Sequence, residues 1–226
     1  VLFWFSAADT VDRLHQLRQG EILAEGGYRN KGVWGQMEGV IPAPAELVWR
    51  LFFQANRWKG YKLPSLADSR SVTEEIVNQG GSSQDVRDFY RLLGNQQFDP
   101  AEKRRKGGTW TGYAFQFYDL PWPVADRWMI VKTVFDETRS KEGTYKATWT
   151  KASGNITTVD GTLFLTPFEG DRKMTLMSYD VTSNPGSKIP KFILRWGIKK
   201  TMPAVIRSIR EQAILQSRPP PLLRTQ

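Results

Sequence analysis

The stretch 189–213, IPKFILRWGIKKTMPAVIRSIREQA, limits what this chain can fold into more than any other. Its spacing predicts one long helix broken at Pro203. Before Lys200, Ile189, Phe192, Ile193 and Trp196 recur on one face at helical intervals. Lys188, Lys191, Arg195 and Lys199 step by three and four residues along a second stripe. Pro203 has no backbone donor and re-phases the helix, after which Met202, Val205, Ile206, Ile209 and Ala213 form a new apolar arc. A helix with this much apolar surface needs a large partner, and what precedes it reads mainly as strand. The expectation is an α+β architecture, a curved antiparallel sheet gripping one C-terminal helix.

Five strands are predicted ahead of the helix, at 109–120, 126–138, 143–151, 155–167 and 172–183. Their joints are turn-sized (PWP, SKEG, SGN and EGD), and spacings this short favour antiparallel hairpins over crossover helices. Alternation groups Tyr113, Phe115 and Phe117 with Met129, Val131, Thr133 and Phe135, then with Tyr145, Ala147, Trp149, Leu163 and Leu165, as one inner face. Lys132, Lys146, Thr148, Thr150 and Thr162 mark the other face as solvated. Further upstream the pattern predicts a short helix at 9–23, a strand at 28–41 ending before Pro42, a helix carrying LVWRLFFQA, and a strand at 65–77. Residues 85–106 read as a helix followed by a basic turn, an insertion into a strand-rich region. Its Phe89, Leu92, Leu93 and Phe98 suit three placements: over a cavity mouth, against a membrane beside Lys103, Arg104, Arg105 and Lys106, or on the sheet edge.

The net charge of +9 is unevenly distributed. Residues 186–226 hold nine Lys or Arg against Glu211 alone, which is +8 and leaves +1 for the first 185 residues. Such a face suits phospholipid headgroups, an acidic protein or nucleic acid, and equally a merely solvated helix. No nucleic-acid motif accompanies the stripe, so nucleic acid is not the expected partner. No run approaches the roughly 18 apolar residues of a membrane span. With no Cys and one His, disulfides and thiolate chemistry are excluded, and neither a metal site nor a cofactor is expected. His15 sits on a peripheral helix, and no nucleophile with an adjacent base is visible, so no catalytic residue is assigned. A monomer is expected. The chain begins at Val1, which leaves room for a signal or anchor upstream; the expected location is soluble or peripheral at a membrane, with export compatible with the missing Met and Cys.

Two stretches carry a resemblance. LPWPVADRWMIVKTV (120–134) and GTLFLTPFEGDRKMTLMSYDVTSNPGSKIPKFILRWGIKKTMPAVIRSIRE (161–211) resemble the START-like or SRPBCC superfamily, whose fold is the helix-grip. The likeness covers about residues 28–213. It divides the chain into an N-terminal helical extension (1–27), the START-like domain (28–217, with an insertion at about 80–107) and a Pro-rich tail (218–226). Residues 80–106 depart from the family pattern, and Trp128 follows Arg127 where the family often has an acid. The resemblance implies a cavity between sheet and helix that holds a hydrophobic small molecule of the lipid, sterol, carotenoid or quinone class. On that reading the ligand would meet Tyr113, Phe115, Phe117, Met129, Val131, Tyr145, Trp149, Leu163, Leu165, Met177, Tyr179, Phe192 and Trp196. Arg127 would be the polar anchor, or else the partner of Asp119 or Asp126. Lys188, Lys191, Arg195 and Lys199 would dock an anionic membrane or a partner during transfer. The alternative is an aromatase/cyclase-like enzyme drawing on Tyr113, Tyr179, Asp126 and Arg127.

Overall fold

Five strands follow one another as antiparallel neighbours: β4 (Thr109–Tyr118), β5 (Arg127–Asp136), β6 (Tyr145–Gly154), β7 (Thr158–Phe168) and β8 (Asp171–Asn184), the last two joined by a tight turn. The β7–β8 turn shows why. Glu169 (φ 49°) and Gly170 (φ 84°) are both left-handed, the backbone a two-residue hairpin turn requires. The computed structural model describes residues 7–29, 32–80, 85–95, 98–122, 124–186, 189–190, 192, 194 and 197–217. Its helices are α1 (Ala7–Arg18), α2 (Ala45–Phe53), α3 (Glu74–Gly80), α4 (Val86–Leu93) and α5 (Met202–Ser217), and the remaining strands are β1 (Ile22–Arg29), β2 (Gly32–Ile41) and β3 (Leu66–Val72). All eight strands join one antiparallel sheet in the order β1-β2-β8-β7-β6-β5-β4-β3. The α+β helix-grip architecture expected from the sequence is present.

Three local readings change. The helix placed at 9–23 ends at Arg18, and Ile22–Arg29 is a strand that hairpins with β2. The strand placed at 65–77 stops at Val72 and continues as α3. The long C-terminal helix is divided: Leu194 N–H donates to the Pro190 carbonyl, a π-helical turn spans Gly197–Thr201, and α5 begins at Met202. Pro203 has no N–H for the carbonyl four residues back, and the wider turn ahead of it absorbs the mismatch. Helix α5 then lies close on β2, where a Cβ added to Gly39 would stand 2.8 Å from Ile206 Cγ2 and one added to Gly35 would overlap Met202.

The sheet is covered on both faces. Its inner face packs on α2 and α5 and forms the main core, with Met37, Trp49, Leu163, Leu165, Met177, Ile206 and Ile209 at its centre. The outer face is covered at its two ends. Leu17 of α1 packs with Val40 and Phe168 at one end, fixed by ion pairs from Arg13 to Glu38 and Arg18 to Glu169. At the other end Phe89 of α4 stacks on Phe115 and Trp128, with centroids 5.1 and 5.6 Å apart.

Candidate functional site

The inner face has two halves with different contents. One half is solid. Aromatic residues of α2 interlock with the sheet: Trp49 lies 5.2 Å from Tyr145, Phe53 5.5 Å from Trp110, and Trp110 stacks on Phe135 at 4.1 Å. A closed polar network sits against them. Glu137, fully buried, accepts from Trp49 Nε1 (2.8 Å), Trp110 Nε1 (3.1 Å), Arg104 Nε (2.8 Å) and Arg104 Nη2 (2.9 Å). Arg104 also pairs with Glu46 at 2.8 Å, and Glu46 accepts from the Tyr145 hydroxyl at 2.7 Å. Burial disfavours the charged form of Glu137, but hydrogen bonds from Arg104, Trp49 and Trp110 and the charge of Arg104 outweigh it and hold the carboxyl below its usual range. With four donors on one carboxylate, this network binds the fold together and leaves no oxygen exposed to a substrate.

The other half is less completely covered: Tyr118 on β4 and Tyr179 and Val181 on β8 are half-buried there, beside the buried Gln116 on β4, Met129 on β5 and Trp149 on β6. Gly161 has no side chain because the Trp149 ring lies where its Cβ would be, and that ring reaches β8 to stack on Tyr179 (centroids 5.1 Å, planes at 27°). Tyr118 donates its hydroxyl to Gln116 Oε1 at 2.8 Å. Burial pushes the Tyr118 phenol above its usual range, and burial together with the nearby Tyr118 and Asp180 does the same for Tyr179. Both residues are nevertheless only half-buried.

The predicted site residues divide accordingly. Trp149 stacks on the half-buried Tyr179. Met129, Val131, Tyr145, Leu163, Leu165 and Met177 face the same side and, like Trp149, are buried in the core. Tyr113, Phe115 and Phe117 are on the outer face, the opposite of the sequence reading, because β4 turns Trp110, Ala114 and Tyr118 inward and α4 covers its aromatic side. The Tyr113 hydroxyl donates to Glu74 at 2.7 Å, far from any inner-face chemistry. Helix α4 of the insertion therefore covers the back of the sheet, and Arg104 turns inward to Glu137. Among the described residues Arg127 has no carboxylate partner. Its guanidinium donates to the backbone carbonyls of Ala125 (2.7 Å), Asp126 (3.2 Å) and Pro185 (2.9 Å), tying the β4–β5 loop to the chain leaving β8. Asp126 accepts the Leu120 N–H and serves that loop. Phe192 is 69 % exposed. Lys199 is exposed on the π-helical turn, and Trp196, Lys188, Lys191 and Arg195 lie outside the described residues. The sequence reading missed Gln116, Tyr118 and Val181. The uninterrupted apolar run WMIV at 128–131 was the available signal that both faces of the neighbouring strand are buried.

No protein-family model matches this chain, and no curated protein matches it. Solved structures do. A STAR-related lipid transfer protein from Xanthomonas axonopodis is 15% identical with a TM-score of 0.59, covering 85% of this chain and 93% of its own. The lipid transfer and protein localization domain of human StarD13 is 9% identical with a TM-score of 0.54, covering 93% of this chain and 98% of its own. The Zhui aromatase/cyclase from Streptomyces is 8% identical with a TM-score of 0.51, covering 88% and 97%. Likeness at these identities is likeness of fold.

Proposed function

With the START-like helix-grip fold as premise, we propose that this protein binds a hydrophobic small molecule on the inner face of its sheet, in a recess between Tyr118, Trp149, Tyr179 and Val181. The observation that carries the reading is that Tyr118, Tyr179 and Val181 stay only half-buried on the inner face beside the packed Trp149 ring. Apolar walls with a few placed polar groups suit small-molecule binding, and apolar burial alone yields about 25 cal/mol per Å². A cyclase reading needs a proton acceptor facing the ligand. Glu137 is enclosed by Arg104, Trp49 and Trp110 at the other end of the inner face, so binding is favoured over catalysis.

The test is native mass spectrometry of the purified protein, with solvent extraction of what co-purifies, repeated on Val181→Trp. A stoichiometric molecule lost in the variant, with thermal stability retained, supports the recess. Absence of any bound molecule from the wild type, together with no displacement of an apolar dye by lipids, overturns it.

Docking is the second part of the proposal. Trp122 is 92 % exposed on the β4–β5 loop, which Arg127 ties to the segment that carries exposed Phe192 and the basic residues of 186–226. Indole and phenyl groups beside cations suit an anionic bilayer interface, where each Lys or Arg contributes about 1 kcal/mol. Transfer between membranes would proceed from this end. Binding to phosphatidylserine vesicles that falls with salt and with Trp122→Ser is expected; equal binding to neutral vesicles would sink the electrostatic part.

A further inference from the structure

A second concavity shares no residue with the Tyr118–Trp149–Tyr179 face. It encloses about 520 Å³ between the short 3-10 helix Ala55–Tyr61 and the last turns of α5. Arg57, Lys59, Gly60 and Tyr61 form one wall, and Gln212 and Gln216 the other. That volume lies within the range of small-molecule sites. Its frame is fixed. Trp58 and Tyr61 are buried; Trp58 Nε1 donates to the Phe52 carbonyl (3.0 Å), and the Ser208 hydroxyl of α5 donates to the Tyr61 carbonyl (2.8 Å). Asn56, on the same wall, accepts the Ser71 N–H and donates to the Phe98 carbonyl, both at 2.7 Å. The charges on that frame have one sign. Arg57 and Lys59 line the pocket, no carboxylate does, and among the described residues neither cation has an ion-pair partner. Burial pushes the Tyr61 phenol up to about 12 and the Arg57 charge opposes it, so that charge is felt at the pocket wall. Gly60 leaves the wall open: a Cβ there would meet no atom within 4 Å, and its backbone is not left-handed.

We propose that this pocket binds a phosphate monoester, free or as a lipid headgroup, with Arg57 and Lys59 on its oxygens and the Gln212 and Gln216 carboxamides donating beside them. This site is separate from the hydrophobic-binding reading and does not depend on it. A phosphate monoester carries a charge of about −1.5 to −2 at pH 7 and three acceptor oxygens, which balances two cations and suits walls rich in donors. A carboxylate balances only one of them. A neutral molecule leaves both charges uncompensated, and a cation adds a third. A guanidinium fork can take two phosphate oxygens, and an ammonium the remaining one as a point charge.

The experiment measures binding of glycerol 3-phosphate by phosphorus NMR, and of phosphatidic acid against phosphatidylcholine vesicles by co-sedimentation, on wild type, Arg57→Gln, Gly60→Asp and Trp122→Ser. Gly60→Asp places a carboxylate in the pocket without touching its frame, so Tm is expected to hold while phosphate binding is lost. Arg57→Gln removes a charge-assisted contact and is expected to weaken binding roughly tenfold. Saturable binding of glycerol 3-phosphate that Gly60→Asp abolishes supports the site with a soluble ligand. Binding confined to phosphatidic acid vesicles and abolished by Gly60→Asp supports it with a headgroup. Binding of neither probe, or binding that Arg57→Gln and Gly60→Asp leave unchanged, overturns the site. Vesicle binding that falls with Trp122→Ser alone overturns it too and leaves the docking reading standing; the hydrophobic-binding reading stands in every case.

Discussion

Arg104→Met puts the buried network to a quantitative test. Arg104 is 8 % exposed and makes two hydrogen bonds to a fully buried carboxylate and an ion pair to Glu46. Replacing it with a side chain of similar length leaves Glu137 facing two indole N–H groups and no cation. Removing one partner of a buried ion pair costs about 3–5 kcal/mol. In a chain of this length each kcal/mol shifts Tm by roughly 2–4 °C, so a fall of about 6–20 °C is expected. The pH dependence identifies the residue. The Glu137 carboxyl is lowered in the folded state, so its stabilisation is fully present above the unfolded value near about 4.3 and is lost as pH falls toward the folded value. Urea unfolding followed by Trp fluorescence at pH 7 and at steps below pH 5 measures both effects. Glu137→Gln should unfold more easily at pH 7 and lose less stability than wild type on acidification. An Arg104→Met cost under about 1 kcal/mol, or an acid limb in Glu137→Gln as steep as in wild type, would refute the network as a source of stability.

Three further outcomes follow from particular contacts. Gly161→Ala should destabilise by about 1–3 kcal/mol in chemical denaturation, because the new Cβ overlaps Trp149 and stands 2.5 Å from the Asp180 carbonyl oxygen; Gly35→Ala should cost less than 1 kcal/mol, since it meets the movable end of Met202. Arg127→Leu removes three donors to loop carbonyls and should raise amide exchange near Pro185–Gly186 while costing about 1–3 kcal/mol; unchanged exchange there would deny it the tethering role. Phe89→Ala should cost about 3–5 kcal/mol yet leave apolar-dye affinity unaltered, because the ring packs on Phe115 and Trp128 behind the sheet; coupled loss of dye binding would contradict that placement.

The meander was legible in the sequence because turn residues and alternation agreed. Each strand from β4 to β8 lies within a few residues of its predicted span, and Glu169-Gly170 forms the turn its residues suggest. Strand β1 was hidden because ILAEGGYR has two glycines, no alternation and a preceding helix that its first residues could continue. The facing of β4 was misread for a physical reason. Alternation reports which parity is more apolar, and in β4 the more apolar parity faces α4, while Gly112, Ala114 and Gln116 face inward. An insertion that buries the outer face reverses the inference. The Glu137 network could not be read at all, since its members stand at positions 46, 49, 104, 110, 137 and 145 and meet only through the fold.

That division of the inner face also determines how a ligand would lie. Tyr145 and Trp149 share a strand four residues apart, about 14 Å. Tyr145 belongs to the closed network and Trp149 to the recess, with Phe52 of α2 against the Trp149 ring at 6.1 Å. A molecule in the recess cannot extend past Trp149 toward Tyr145 without displacing Trp49, Phe52 or Tyr145 from a packed core, a change that costs several kcal/mol. Its length must therefore extend the other way, toward the end of the sheet where Arg127 holds the β4–β5 loop to Pro185. A molecule lying that way would point at the loop that carries exposed Trp122, where it would meet a bilayer.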